Sequence, residues 1–346
     1  MNRQAVYFTE PGRAQVREEP VPELQPGMVL VQNVYSAISP GTELLIYRGL
    51  APEDLPADSG ITALGGNLTF PLKYGYASVG RVISLGGGVE ESWKGQRVFA
   101  FNPHETLFLA STEDLVKIPH GISWEAATFL ANMETAVNFV HDGRPLLGET
   151  VVVVGQGVVG LLTTMILRLY PLSGLLTLDL MPRRREISRA VGVDASLDPS
   201  GPDAEERILS WLNQRAADRA DLVFELSGSP EALNLALTVT GTSGRVIIGS
   251  WYGRKRAAIE LGGRFHRSRI ELRSSQVSTV DPLLSGRWSK PRRLATALEM
   301  IGKIQPAQLI THRFPIADAA RAYELLDAQS EDTLQVLLEH YPPETE

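Results

Sequence analysis

Three glycines at positions 155, 157 and 160 are spaced Gly-x-Gly-x-x-Gly and directly follow the valines 151 to 154. That order suits a phosphate-binding turn: Gly155 permits a tight turn, Gly157 lets backbone approach a pyrophosphate, and Gly160 lets the next helix pack on its strand. Gln156, Val158 and Val159 complete the loop. Asp179 ends the next apolar run, where a carboxylate accepts hydrogen bonds from both hydroxyls of an adenosine ribose and repels a 2′-phosphate. NAD is therefore the expected ligand. Arg183 and Arg184 keep NADP open, because an arginine just past this strand can hold that phosphate; as a plain run of charge they would form a solvated first helical turn.

A nicotinamide exchanges hydride, so another group must give or take the proton of the substrate oxygen. Tyr76, in the stretch LKYGYASVGRV (72–82), offers a phenol. The bland alternative is a tyrosine packed in a turn between strands, with its hydroxyl in solvent. His104, in FNPHETLF (101–108), titrates in the useful range, although a lone loop histidine is commonly a bystander. Glu134 reads as an acid in the first turn of a helix. The chain has no cysteine, which removes disulfides, thiolate nucleophiles and every Cys-based zinc site.

The elements that must hold these groups divide at about residue 122. Residues 1–122 carry short β-type runs punctuated by Gly and Pro, and read as an irregular, mostly β domain. Residues 123–303 alternate apolar strands with helices, the pattern of a parallel sheet covered on both faces. RIELRSS (269–275) is a candidate sixth strand. Residues 304–346 read as a helix, then a strand that completes the first domain, then an unstructured end at 341–346. At 346 residues two domains are expected. With 43% hydrophobic and 21% charged residues and no membrane-length apolar run, the chain reads as globular, with no membrane segment and no secretion signal, hence cytoplasmic. A net charge of −7 disfavours nucleic acid.

The whole pattern resembles the medium-chain dehydrogenase/reductase superfamily. The residues that carry the likeness are ISPGTELLIYRG (38–49), YGYASVGRV (74–82), GQRVFAF (95–101), GQGVVG (155–160), FELSGSPEALNLAL (224–237), GRVIIGS (244–250) and THRFPIADAARAYELL (311–326). The resemblance implies an α/β architecture: a doubly wound Rossmann sheet beside a GroES-like, mostly β domain. It implies that Thr42 stands beside the substrate oxygen with Glu43 as the adjacent acid, that Thr135 lies near the nicotinamide, and that Ser227, Gly228, Gly249 and Ser250 line the cofactor. It further implies pairing through sheet edges into a homodimer. The zinc positions of the family fall on Pro40, or Ser39 if the gap is placed differently, on Tyr76 and on Ala131, which are not a zinc donor set, and its relay histidine falls on Leu45. Within the superfamily the metal-free Ser-x-Gly-Thr-Glu block looks closest to the bacteriochlorophyllide dehydrogenase branch.

These residues lead to a zinc-independent oxidoreductase that moves hydride between NAD(H) and a small secondary alcohol or ketone. Two other readings stay open: an NADPH-dependent quinone or enoyl reductase, and a cofactor-binding protein without catalysis.

Overall fold

The computed structural model describes residues 1–52, 61–215, 218–328 and 331–342. The chain forms two compact units, one of Met1–Ala131 with Ile301–Glu346 and the other of Asn132–Met300.

In the second unit the apolar runs form the buried strands Thr150–Val154 and Gly174–Leu178, with every side chain of both excluded from solvent. Among the described residues the sheet has six strands, in the spatial order Ala195–Leu197, Gly174–Leu178, Thr150–Val154, Ala220–Glu225, Thr240–Ile248 and Glu271–Ser274. All neighbours run parallel. The chain order reverses between Thr150–Val154 and Ala220–Glu225, and a crevice at the carboxyl ends of the strands is where such sheets take ligands. Val152, Leu176, Ile208, Val223, Leu237 and Val246 share one core under the helices. The doubly wound sheet and its sixth strand are as expected. The short strand Ala195–Leu197 escaped the sequence reading because Ala-Ser-Leu has neither the length nor the β-branched residues that mark a strand.

The first unit is mostly β. Its long strand Met28–Ile38 pairs with Ser78–Leu85, Leu107–Ser111 and Gln335–Glu339, all antiparallel. The strand Asn2–Glu10 pairs with Arg13–Pro20 in a separate small sheet. Phe8, Tyr47 and Tyr323 form an aromatic knot, with ring centroids 4.9 Å apart for Phe8–Tyr323 and 5.5 Å for Tyr47–Tyr323.

Two features of this unit differ from the expectation. Residues Pro40–Tyr47 are a helix within the β domain. Proline at its first position suits a helix start, and Glu43 reaches back to the N–H of Ser39, satisfying a donor that the first turn leaves open. The C-terminal segment contains a strand, Ile310–Pro315, ahead of the helix Ala319–Asp327, and this strand runs parallel to Gln335–Glu339. Its burial alternates residue by residue, so its outer face carries Thr311 and Arg313 and no apolar run announces it. Of the end expected to lack structure, residues 343–346 lie outside the described ones. No helix among the described residues is long and apolar enough to cross a membrane.

Candidate active site and cofactor loop

In the second unit the glycine loop connects the buried strand Thr150–Val154 to the helix Val158–Leu167. Gly155 has φ +92°, and a Cβ there would come within 2.6 Å of the Leu226–Ser227 backbone. At Gly160 a Cβ would lie 2.0 Å from the Gly155 carbonyl oxygen, so the helix sits on the turn at a distance only glycine allows. A Cβ on Gly157 would meet nothing within 4 Å. The backbone is therefore bare where a phosphate would approach the first turn, which begins with Val158 and Val159.

Asp179 is buried, and its carboxylate does structural work that the sequence did not reveal. One oxygen accepts from the Gln156 N–H at 2.6 Å and the other from the Met181 N–H at 2.8 Å. It thereby joins the glycine loop to the tip of the neighbouring strand, while each oxygen keeps lone-pair capacity for a further donor. The Gln156 side chain points inward, accepting from Thr164 and Ser188, so only its backbone faces the loop. Of the arginines, Arg183 pairs with Glu186 in solvent. Arg184 approaches Asp179 at 3.9 Å, and its Nε is buried without a partner among the described residues.

The carboxyl ends of the next two strands meet through hydrogen bonds. The Gly228 N–H donates to Ser250 Oγ at 2.9 Å, and the Ser227 N–H donates to Glu225 at 2.8 Å. Tyr252 also donates to the Glu225 carboxylate, and burial followed by that charge pushes the phenol pKa upward. Gly249 packs on Phe139, where a Cβ would fall 2.3 Å from the ring. Thr135 is half-buried on the helix Leu130–Gly143. Glu134 on the same helix is not a solvated first-turn acid: it is buried and ion-paired to Arg293 at 2.9 Å. Burial raises its pKa, with Arg293 opposing the shift.

In the first unit the candidate oxygen-handling residues converge. Tyr76 is half-buried and donates to Ser39 Oγ at 2.6 Å. The Ser39 N–H donates to Glu43 Oε1 at 2.7 Å. The other oxygen, Oε2, meets His104 Nε2 at 3.0 Å and accepts from the Tyr323 hydroxyl. Burial, then the Glu43 charge, holds the Tyr323 pKa well above the ordinary phenol value, so Tyr323 stays a donor. Thr42 is half-buried next to Glu43 in the helix. His104 is not a loop bystander. Its side chain is fully buried, and its other nitrogen, Nδ1, lies 2.7 Å from Ser36 Oγ. Gly75, at φ +122°, makes room for it: a Cβ there would be 2.7 Å from the imidazole. Ser36 Oγ in turn meets His340 Nε2 at 2.8 Å. Ser36, Tyr323 and His340 were missed by sequence reasoning, because nothing in the chain marks a serine in a strand or a tyrosine in a helix as partners of Glu43.

The positions on which the resemblance puts zinc carry no set of zinc-donating side chains. Pro40 and Ala131 have no donor atom, and the Tyr76 hydroxyl is engaged with Ser39. No group of three or more His, Cys, Asp or Glu that could hold a metal occurs among the described residues.

No family model matches the chain. Its curated relatives include D-guloside 3-dehydrogenase of Escherichia coli, 25% identical over 321 residues that cover 87% of this chain and 90% of that protein. They also include 5-exo-hydroxycamphor dehydrogenase of Pseudomonas putida, 25% identical over 94% of this chain and 95% of that one. An Escherichia coli alcohol dehydrogenase in complex with NADH superposes with a TM-score of 0.79 at 18% identity, covering 98% of this chain and 99% of that one. A Sinorhizobium meliloti dehydrogenase bound to NADP superposes at 0.78 and 19% identity, with coverage of 98% and 99%. The chain has the alcohol dehydrogenase fold. Its relatives are alcohol and polyol dehydrogenases, and this alcohol dehydrogenase fold presents a glycine loop with an open approach to backbone in one unit and a tyrosine–serine–glutamate–histidine cluster in the other.

Proposed function

We propose that the protein is a zinc-independent oxidoreductase that transfers hydride between NAD(H) and a small secondary alcohol or the corresponding ketone. The observation that carries this reading is the Tyr76–Ser39–Glu43–His104 cluster, a set of proton-handling side chains gathered around Tyr76, one of the positions on which the resemblance puts a zinc ligand. The names of the relatives favour alcohols and polyols over activated double bonds as substrates. No tetrapyrrole substrate is proposed.

Gly155, Gly157 and Gly160, with the start of the helix Val158–Leu167, would cradle the cofactor pyrophosphate, and Asp179 would take the ribose hydroxyls. Ser227, Gly228, Gly249 and Ser250 would form the rim at the next strand ends. When bound, the nicotinamide supplies the hydride acceptor or donor. Tyr76 and Thr42 would orient the substrate oxygen, and Tyr76 would hold its proton by a hydrogen bond backed by Ser39. Glu43, anchored by the Ser39 N–H, Tyr323 and His104, would supply the negative charge that draws the proton away during oxidation.

The strand Glu271–Ser274 is the outer strand of its sheet, and an edge with unpaired backbone groups invites a second copy, so a homodimer is part of the proposal. Light scattering at micromolar concentration should give twice the chain mass; a monomer would remove that part.

The experiment is turnover with secondary alcohols, polyols and their ketones, together with Tyr76→Phe. Loss of the phenolic hydroxyl should lower kcat about 10²-fold with cofactor affinity unchanged, the usual effect of removing a positioned donor. Turnover within twofold of wild type would return Tyr76 to a packing role.

A further inference from the structure

From the hydrogen-bond geometry of the first unit we infer a buried proton path that joins Glu43 to His340 through His104 and Ser36. The inference rests on the proposed reading for its use, and on distances alone for its existence. Four side chains from distant parts of the sequence are spaced at hydrogen-bond distance: Glu43 Oε2 to His104 Nε2 is 3.0 Å, His104 Nδ1 to Ser36 Oγ is 2.7 Å, and Ser36 Oγ to His340 Nε2 is 2.8 Å. Glu43, His104 and Ser36 are buried, and His340 is half-buried at the end of the strand Gln335–Glu339.

The chemistry of each link fixes the protons. Glu43 accepts from the Ser39 N–H and from Tyr323, so the third group on it, His104 Nε2, carries a proton toward it. His104 Nδ1 is then bare and accepts from the Ser36 hydroxyl. That hydroxyl has one proton, now committed, so Ser36 accepts from His340, whose proton is on Nε2; the Asn33 Nδ2 lies 3.4 Å from that nitrogen, but its two protons go to the Glu105 carbonyl and Ser78 Oγ at shorter distances. His340 Nδ1 is left bare, and it is indeed buried with no hydrogen-bond partner among the described residues. Burial, and secondarily His104, lowers the His340 pKa to about 3, which agrees with a neutral imidazole.

In this arrangement every link points toward Glu43. A proton added at His340 Nδ1 moves three others by one bond each: Nε2–H of His340 to Ser36, the Ser36 proton to His104 Nδ1, and Nε2–H of His104 to Glu43. The result is a protonated Glu43, with His340 neutral again and its proton on Nδ1. No imidazolium has to persist in the low-dielectric interior, which is where a charged intermediate would be costly. For ketone reduction hydride goes from NADH to the carbonyl carbon, a proton taken up when a water reaches the buried His340 Nδ1 arrives at Glu43 by the shift, and Glu43 passes it to the oxygen, which leaves every link turned toward His340. Oxidation runs the path in reverse from the arrangement that reduction leaves, with Glu43 ionised and every link turned toward His340: Glu43 takes the alcohol's proton, each link shifts back by one bond, and His340 Nδ1 releases a proton. The groups facing the path are Glu43, Tyr323 and Tyr76 at the inner end, and His104 and the Asn33 amide beside His340 at the outer end.

Two measurements test it. Nitrogen-15 NMR of the wild-type protein at neutral pH should show His104 protonated on Nε2 only and His340 protonated on Nε2 only; the opposite tautomer at either residue overturns the path whether or not the protein is an oxidoreductase. Ser36→Ala should lower kcat for ketone reduction about 10²-fold, the low end for losing a proton-transfer group, with NADH affinity unchanged. His340→Gln should do the same, and added imidazole should restore its turnover. Ser36→Thr, which keeps the hydroxyl, should stay near wild type. Turnover of Ser36→Ala and His340→Gln within twofold of wild type, or absence of imidazole rescue, overturns the path; absence of any alcohol or ketone turnover in the wild type overturns instead the reading of function.

Discussion

Glu43 is the residue whose replacement the structure prices most directly. Its carboxylate is fully buried and receives three donors: the Ser39 N–H at 2.7 Å, His104 Nε2 at 3.0 Å and the Tyr323 hydroxyl. In Glu43→Ala all three lose their acceptor where water is excluded. At about 1–3 kcal/mol for each buried donor left unsatisfied, the loss is at least ~3 kcal/mol, a large share of the ~5–15 kcal/mol that stabilises a folded protein. Glu43→Gln keeps the shape and one acceptor oxygen. If the amide oxygen takes the Oε2 position, only the Ser39 N–H is orphaned. If the amide nitrogen takes it, Tyr323 must turn to accept and His104 must change tautomer. Either way about one interaction is lost, so Gln should cost ~1–3 kcal/mol. Urea unfolding gives both values, and amide hydrogen exchange at Ser39 gives the local one. If Glu43→Ala costs under ~1 kcal/mol, or no more than Glu43→Gln, the three donors are not held as the structure describes.

Asp179→Ser should weaken the proposed preference for NADH over NADPH by removing the charge that would oppose a 2′-phosphate, leaving Arg184 to hold it. It should also cost about 1.5–3 kcal/mol in unfolding, because the Gln156 and Met181 N–H groups lose a charged acceptor. Arg293→Ala should destabilise the second unit by about 3–5 kcal/mol, since it strands the buried Glu134 carboxylate, and Arg293→Ala with Glu134→Gln should recover part of that loss. Stability should fall in acid: His141 is depressed to about 4 and His340 to about 3, so below the ordinary histidine value of 6.5 the unfolded chain takes up protons that the folded chain refuses. The loss begins as pH drops through 6.5 and continues toward the folded values, and His141→Gln should flatten the melting profile across that range.

The cofactor loop was legible because its signals are contiguous: a valine run, three spaced glycines and an acid at the next strand end all belong to one strand–helix–strand unit. What the sequence could not show is that Asp179 already binds two backbone N–H groups, because hydrogen bonds of that kind depend on register between neighbouring strands. The cluster around Glu43 was half legible. Tyr76, Thr42 and Glu43 lie in motifs with an implied role at the substrate, whereas Ser36, Tyr323 and His340 have none and come from a strand, a helix and the residue after a strand that meet only in the fold. His104 looked like an isolated loop residue, and only the space left by Gly75 shows that the loop folds inward. The strand Ile310–Pro315 was lost for a simpler reason: one face is solvated, so its composition is that of a loop.

The most direct test of the central claim is the appearance of reduced nicotinamide when chelator-treated protein, verified free of metal by elemental analysis, is given NAD and a panel of secondary alcohols and polyols. The account predicts turnover equal to that of untreated protein, with no gain on adding zinc. Turnover that vanishes on metal removal and returns with about one zinc per chain would contradict it, because neither Pro40 nor Ala131 offers a donor atom and Tyr76 already donates to Ser39.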